Sequence, residues 1–183
     1  MADANVLFSR SLRDYLLVAG EEDLISVVWS NEILDEMARN LVKSIPGFTS
    51  DAAGYLLKAL VESFPYATFT LSEEDYARLK EYDFPDEKDR HVFAAALASE
   101  ANVICTSNIK DFPAEIAFEL GLTVRTPDAL FVELIEESPL QMLRVHKRVV
   151  RGFPDGTNES TLSALRRAGA NETADLLFSM LKS

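Results

Sequence analysis

Acidic and polar side chains stand at positions in this sequence where a parallel α/β fold would gather them. Asp3 opens a strand-like segment, and Thr106, Asn108 and Asp111 follow the apolar run at 102–105. Functional groups of parallel sheets lie outside the carboxyl ends of the strands, so the two sets share one edge if their strands are neighbours. Carboxylates brought together repel one another, and a hard divalent cation such as Mg²⁺ or Mn²⁺ removes that repulsion.

Two further carboxylates, on predicted helices, allow a functional and a structural interpretation. Asp89 shares the apolar face of its helix, because it lies three residues before Val92 and four before Phe93. A buried carboxylate is costly unless a cation or a donor meets it. Helix capping by Asp86, with Asp89 in the first turn, is the alternative explanation. Glu36 lies at the margin of an apolar stripe, where a solvated glutamate is the alternative.

The ligand chemistry indicates which metal such a site would hold. Oxygen ligands with a few waters suit Mg²⁺ or Mn²⁺. The chain has only two histidines and one cysteine, Cys105, which are too few for a zinc site. A cation held by carboxylates lowers the pKa of bound water and stabilises the pentavalent phosphate of an in-line displacement. Such a site is suited to an in-line displacement at phosphorus.

Strand-like and helical patterns alternate up to about residue 126, which predicts βαβ units, a mainly parallel sheet and the α/β fold class. Ser30 and Ser72 are predicted N-caps, and Gly121 is predicted to close a short helix. The patterns predict strands in 1–9, 24–29, 66–71, 102–107 and 122–126, and helices in 9–24, 31–45, 51–63, 73–82, 86–100 and 114–120. Beyond Pro127 only helices are predicted, at 127–137, 139–151 and 159–182.

Net charge and hydropathy restrict the binding partners and the cellular location that we expect for the protein. The net charge is −12, and residues 1–130 carry all of the excess acid, which counts against nucleic-acid binding unless cations or a basic surface offset it. A basic cluster at Arg144, His146, Lys147, Arg148 and Arg151 is either such a surface or a solvated helix face. No leader and no apolar run of about 18 residues is present, so we expect a soluble, cytoplasmic protein with no membrane partner.

Four segments, in this order and at these spacings, resemble the PIN domain. They are "DANVLFS", "WSNEILDEMARNL", "DEKDRHVFAAAL" and "VICTSNIKDFP". They are most similar to the bacterial toxin-like, VapC-type subgroup. The resemblance covers residues 1–130 and leaves 131–183 as a C-terminal helical extension. It implies a three-layer α/β/α fold with a central, mainly parallel sheet, an endoribonuclease activity that needs Mg²⁺ or Mn²⁺, an RNA substrate, a cognate antitoxin protein and a homodimer.

The resemblance also implies which residues act. It makes Asp3, Glu36, Asp89 and Asp111 the catalytic and metal-binding residues, and Asn5, Thr106 and Asn108 their supporting neighbours. Some relatives have the last acidic residue at the position of Asn108, so Asn108 is the alternative to Asp111. Only Met1 and Ala2 precede Asp3, so the first strand is either frayed or begins upstream.

Other readings of the sequence explain less. A receiver-like domain needs a phospho-accepting aspartate after its third strand and a lysine after its fifth, and neither is present. A catalytically silent PIN-like scaffold that binds a protein or RNA is a second alternative, but it gives no reason to keep repelling carboxylates together. His91 is predicted on the opposite side of the helix from Asp89, with a surface or capping role, and Cys105 is predicted to be core.

Overall fold

A computed structural model describes residues 1–182 and divides the chain into two units. Unit 1 comprises Met1–Phe8 and Val28–Val124, and unit 2 comprises Ser9–Val27 and the chain from Arg125 onward. The units are defined by contacts between residues, and each contains two separate segments of the chain. They therefore do not mark where a domain ends in the sequence. The boundary near residue 130 stays a prediction.

Helices account for most of the structure, and the strands are only two or three residues long. The strands are β1 Trp29–Ser30, β2 Thr68–Phe69, β3 Val103–Cys105 and β4 Thr123–Arg125. The helices are α1 Ala4–Phe8, α2 Arg10–Glu21, α3 Asn31–Ser44, α4 Ser50–Ser63, α5 Glu73–Ala77, α6 Arg90–Ala98, α7 Ala114–Glu119, α8 Pro127–Glu137, α9 Pro139–Arg151, α10 Asn158–Arg167 and α11 Asn171–Lys182, with 3₁₀-helices at Glu87–Asp89 and Ile109–Asp111. Across residues 1–182, no helix has the length and apolar character needed to cross a bilayer.

The predicted strands are present only where their backbone is hydrogen-bonded to another strand. β1 pairs with β2 in parallel, with Trp29 opposite Thr68, and β3 pairs with β4. The apolar runs at 24–29 and 66–71 are longer than these pairs. Apolar sequence predicts burial, but the length of a strand is set by how many residues have a backbone partner. The central sheet is therefore not shown at its predicted size.

The first residues of the chain lie between the two strand pairs. The Ala2 amide donates to the Val28 carbonyl (2.9 Å), the Cys105 amide donates to the Met1 carbonyl (2.8 Å), and the Asp3 amide donates to the Cys105 carbonyl (3.0 Å). Ala2 and Cys105 form a parallel bridge. The strand predicted over residues 1–9 is wrong beyond this bridge, because α1 begins at Ala4. Asp3 thus stands at the end of the bridge, beside the end of β3.

The N-cap of α3 and its buried face follow the sequence prediction. The Ser30 hydroxyl accepts a hydrogen bond from the Ile33 amide (3.3 Å) and satisfies one of the free amides of the first turn. The apolar stripe predicted for this helix is buried, namely Ile33, Leu34, Met37 and Leu41. With these side chains in the core of unit 1, Glu36 lies at the edge of the buried face and is partly exposed.

The start of α6 differs from the prediction. A 3₁₀-helix occupies Glu87–Asp89, and α6 begins only at Arg90, where one helix over 86–100 was predicted. Arg90 explains why this turn is held, because its guanidinium donates to the carbonyls of Leu79 and Tyr82 and lies 4.6 Å from the centre of the Phe84 ring. The chain before the helix is thereby tied to its first turn.

Three phenylalanines connect α6 to the segment after β3. The ring centroids of Phe84 and Phe93 are 4.8 Å apart, and those of Phe93 and Phe112 are 5.4 Å apart. Such aromatic contacts add to the burial of apolar area. Because Phe93 belongs to α6 and Phe112 directly follows Asp111, the stack fixes the Asp111 segment against the helix that begins after Asp89.

Unit 2 is a group of helices built around Tyr15 of α2. Its ring lies 5.8 Å from that of Phe131, and its hydroxyl hydrogen-bonds with Nδ1 of the buried His146 (2.5 Å). The helix predicted over 159–182 is instead two helices, because Gly169 takes a positive φ of 90° between α10 and α11. The carboxylate of Asp128 accepts from the amide of Thr173 (2.9 Å) and so helps to begin α11.

Removal of the residues after Glu137 should unfold unit 2. Helix α2 packs against α9, which contributes the buried side chains of Met142, Val145 and Val149. A chain ending at Glu137 would expose the buried face of α2. We expect it to lose the cooperative urea transition of the full chain, measured by circular dichroism. A transition of unchanged midpoint and slope would show that residues 138–183 are a separate appendage.

Candidate functional site

Asp3 is a buried carboxylate held by three donors. The residue is only 4% exposed. Oδ1 accepts from the Ala4 amide (2.6 Å), and Oδ2 accepts from the Thr106 hydroxyl (2.6 Å) and from the Asn5 side-chain amide. Burial raises the pKa of Asp3, and the hydrogen bonds from Thr106 and Ala4 oppose this increase. A carboxylate has about four acceptor positions, so these donors leave room for about one more ligand.

The predicted supporting residues form one hydrogen-bond network around Asp3. The Asn5 amide also donates to the Thr106 hydroxyl (3.0 Å), and Asn5 Oδ1 accepts from the Ser107 amide (2.9 Å). The Asn108 amide donates to the same hydroxyl of buried Thr106 (3.1 Å). The network joins the start of α1 to the segment that follows β3. Their part in catalysis stays a prediction.

Asp111 belongs to the same network through Asn108. The side-chain amide of Asn108 donates to Asp111 Oδ2, and Asp111 ends the short 3₁₀-helix Ile109–Asp111. Asn108 therefore lies between Thr106 and Asp111 and orients the Asp111 carboxylate. The sequence left these two residues as alternatives for the last acidic position, and the structure places them in contact.

Asp89 lies in the electrostatic field of the other carboxylates. Burial raises its pKa to about 6, and the charges of Asp3, Asp86, Asp111 and Glu36 add to that increase in this order. The capping alternative fits Asp86, whose carboxylate accepts from the Lys88 amide (2.9 Å). It does not fit Asp89, whose side chain makes no capping hydrogen bond. The carboxylates predicted to act together are thus electrostatically coupled.

His91 lies beside Glu36, which the sequence did not predict. Its Nε2 is 3.5 Å from Glu36 Oε2, and its side chain is 14% exposed. The predicted position, opposite Asp89 and on the surface, assumed one regular α-helix from residue 86. The side chain is instead mostly buried beside Glu36, so the predicted surface position is wrong. Nothing in the sequence pattern of α3 and α6 indicated that these two side chains would meet.

The donor set suits a hard cation, but it is not assembled into a complete set of ligands. None of the ion pairs within residues 1–182 involves Asp3, Asp89 or Asp111. The charge of His91 lowers the pKa of Asp3, but less than burial raises it. In the same residues, no three His, Cys, Asp or Glu side chains lie close enough together to hold a metal ion. A cation shared by three of these residues would require side-chain rotation.

Cys105 and the basic cluster, two other candidates from the sequence, have structural roles. Burial raises the pKa of the Cys105 thiol to about 12, so it is an inert core group, as predicted. In the basic cluster, Arg144 and Arg148 pair with Glu22 (3.3 and 2.7 Å). His146 is buried. Most of that cluster therefore stabilises unit 2 internally and is not a free cationic surface.

Replacement of Asp89 by asparagine should stabilise the fold at neutral pH. The folded pKa is raised from 3.8 to about 6, so the wild type loses stability as pH rises from about 4 to about 7. Asp89→Asn removes this loss. One pKa unit is worth about 1.4 kcal/mol; Asp89 is partly exposed, so we expect about 1 kcal/mol at pH 7.5 after allowance for solvent screening. The measurement is urea unfolding in EDTA.

The pH dependence separates this effect from a general gain in packing. Near pH 4 the stabilisation by Asp89→Asn should disappear. The comparison variant is Asp86→Asn, which keeps a good capping residue and removes only one of the charges that raise the pKa of Asp89, so it should stabilise the fold at pH 7.5 less than Asp89→Asn does. A gain from Asp89→Asn that is equal at pH 4 and pH 7.5 would contradict the electrostatic coupling.

One comparison with known proteins gives a family match. A family model described as PIN domain matches residues 1–110, more than half of the chain, and includes every candidate site residue except Asp111. No curated protein and no solved structure gives a significant match. PIN domains are generally nucleases and typically use divalent metal ions. The chain belongs to the PIN domain family.

Proposed function

We propose that this protein is a divalent-metal-dependent endoribonuclease that hydrolyses RNA phosphodiester bonds at the Asp3 site. The observation that carries the proposal is the hydrogen-bond network in which Thr106 donates to buried Asp3 and Asn108 donates to Asp111, with Asp89 electrostatically coupled to both carboxylates. Such coupling disfavours the folded state unless a bound cation offsets the repulsion among the carboxylates. A site that binds such a cation for phosphoryl transfer is consistent with a PIN domain.

Each acidic residue has a role that follows from its contacts. Asp3 and Asp111 are oriented by Thr106, Asn5 and Asn108, so they are suited to hold a ligand in a fixed position. Asp89, with a pKa of about 6, is mostly ionised at pH 7.5 and is still basic enough to accept a proton. Mg²⁺ or Mn²⁺ bound by these carboxylates would activate water and neutralise charge on the phosphate.

The acidity of the chain makes the cation necessary for substrate binding as well. RNA carries a negative charge on each phosphate, and the protein has a net charge of −12. A phosphate group approaching Asp3, Asp89 and Asp111 would be repelled by all three. Binding of RNA at this site thus depends on the positive charge of a cation that the acidic residues bind.

The biological role that we propose is that of the toxin in a type II toxin–antitoxin pair. The support is the resemblance of the four ordered motifs to VapC-type PIN proteins, which implies a cognate antitoxin protein, a homodimer and a cytoplasmic location. Growth arrest on expression that Asp89→Asn abolishes would support this role. Normal growth of cells that contain active wild-type enzyme would count against it.

For the fold of the nuclease domain we propose the three-layer α/β/α arrangement with one central sheet. The hydrogen bonds of Ala2 with Val28 and of Met1 and Asp3 with Cys105 support it. They connect the neighbourhood of β1 and β2 to β3 and β4 through the first three residues. The strand order would then be β2, β1, the Ala2 segment, β3 and β4.

A catalytically silent scaffold that binds a protein or RNA is the second candidate. It is favoured by one observation: no three potential ligands within residues 1–182 are close enough to hold a metal ion. Such a scaffold would keep the hydrogen-bond network around Thr106 without needing the charges. Cleavage assays separate the two candidates.

Single replacements of the four acidic residues should abolish RNA cleavage and leave the fold intact. Groups that hold cation, water and phosphate in one geometry act as a unit, so losing one costs nearly as much as losing two. We expect Asp3→Asn, Glu36→Gln, Asp89→Asn and Asp111→Asn each to lower the single-turnover rate by at least about 100-fold. The assay uses purified protein with Mg²⁺, Mn²⁺ or EDTA, and circular dichroism reports folding.

The matched control is Asp86→Asn, which changes an acidic residue of the same loop that serves as a helix cap. It should retain a rate close to that of the wild type. Wild-type rates for the four site variants, or activity that persists in EDTA, would refute the nuclease proposal. A wild-type rate for Asp111→Asn alone would make Asn108 the better candidate for the fourth position.

A further inference from the structure

A cavity of about 320 Å³ lies within unit 2, between α2, α9 and α10. Pockets that bind small molecules in proteins have volumes of about 300–1,000 Å³. Much of the wall is apolar and is formed by Tyr15, Val149, Phe153, Pro154 and Ala164. The described residues that line the cavity all belong to unit 2, so it includes none of the residues of the acidic site.

Thr161 of α10 presents an unpartnered hydroxyl to this cavity. The residue is only 6% exposed, and within residues 1–182 its hydroxyl has no hydrogen-bond partner. The oxygen is not completely enclosed by protein atoms, so its accessible side faces the cavity that the residue lines. Polar groups of buried residues rarely lack a partner. Water can satisfy one hydroxyl, so the choice of ligand depends on the charged residues that line the same cavity.

Arg167 and Asp155 give the cavity one cationic and one anionic side chain. Both residues are exposed, which puts them at the mouth of the cavity. Within residues 1–182 neither forms an ion pair, so their charged atoms are more than 4.0 Å apart. The neighbouring Arg166 pairs instead with Asp175 (2.7 Å). An unpaired cation and an unpaired anion at one mouth suit a ligand that bears both charges.

The turn that contains Asp155 is held in place by close packing. The Gly156 amide donates to the Phe153 carbonyl (3.0 Å), and a Cβ at Gly156 would clash with the Val150 carbonyl oxygen. Asp155 takes a φ of 58°, which aspartate and asparagine tolerate better than most residues. The guanidinium of Arg10 lies 4.3 Å from the centre of the Phe153 ring. The anionic side of the mouth is therefore formed before a ligand binds.

We propose that this cavity binds a free α-amino acid with an apolar side chain. Arg167 binds the carboxylate of the ligand, Asp155 binds its ammonium group, and Thr161 donates a hydrogen bond to the carboxylate. The apolar side chain of the ligand lies against Val149 and Phe153. Hydrogen bonds between ionised groups are about twice as strong as those between neutral groups. The inference goes beyond the proposed function and does not depend on it.

Ligands with only one of the two charges fit the cavity less well. A simple carboxylate would bind Arg167 but would be repelled by Asp155, and a simple amine would be repelled by Arg167. A segment of another protein chain has its amino and carboxyl groups in amide bonds, so it cannot use both charged side chains in this way.

The test is isothermal titration calorimetry of the full chain in EDTA with L-leucine, L-methionine and L-phenylalanine. At least one of the three should bind with a dissociation constant below about 1 mM. The matched probes are the acid and the amine with the same side chain, which for phenylalanine are 3-phenylpropanoate and 2-phenylethylamine. Each should bind at least about tenfold more weakly than the amino acid.

Variants of the lining residues locate the binding site. Arg167→Gln and Asp155→Asn should each lower the affinity at least about tenfold. Thr161→Val should also lower the affinity without lowering the urea midpoint, because the hydroxyl has no protein partner to lose. The matched control is Arg166→Gln, which removes the neighbouring guanidinium that pairs with Asp175 and should keep the affinity of the wild type.

The inference is wrong if none of the three amino acids binds with a dissociation constant below about 1 mM. Equal affinities for the amino acid, the acid and the amine would contradict recognition of both charges. Unchanged affinity in Arg167→Gln or Asp155→Asn would place the ligand outside this cavity. These results do not involve RNA cleavage, so failure of the nuclease proposal is seen separately.

Discussion

The position of residues 1–3 between Val28 and Cys105 is the constraint on which the site depends. Their backbone hydrogen bonds fix where Asp3 leaves the bridge, and the Asp3 carboxylate then reaches Thr106, directly after β3. From Thr106 the network continues to Asn108 and Asp111. One short backbone contact thereby positions two of the four acidic residues, and the phenylalanine stack next to Asp111 brings α6 and Asp89 to the same place.

Electrostatic cost distinguishes this site from an ordinary polar surface. Asp3 is almost completely buried, and its neighbours Glu36 and Asp89 carry the same charge. A fold selected only for stability would replace such groups, because buried like charges disfavour the folded state. Their presence together in a PIN domain is explained if the repulsion is offset when a cation binds.

Local rules predicted the helices well and the strands and turns poorly. The Ser30 cap and the stripe of Ile33, Met37 and Leu41 could be read from the sequence, because capping and helical periodicity depend on nearby residues. The strands were overestimated, because pairing depends on distant partners. The 3₁₀ turn before Arg90 could not be predicted, since it is held by the carbonyls of Leu79 and Tyr82.

The candidate residues themselves came from ordered motifs, and their contacts came from the tertiary structure. The sequence indicated that Asp3 opens a strand and that Asp111 follows one. Only the fold shows that Asn108 donates to Asp111 and that Thr106 donates to Asp3. The four motifs lie within residues 3–113, and the family match covers residues 1–110. Beyond that point, the packing of α2 against α9 was hidden because the two helices are far apart in the chain.

Thermal unfolding with and without Mn²⁺ tests the central claim, that the acidic residues share one cation site, most directly. A cation that binds only the folded state at about a hundredfold excess over its dissociation constant stabilises it by about 2.7 kcal/mol. We predict a clear rise in the melting temperature of the wild type, and little or none for Asp3→Asn, with Asp86→Asn as the control that keeps the rise. An equal rise for Asp3→Asn, or none for the wild type, would contradict the shared site.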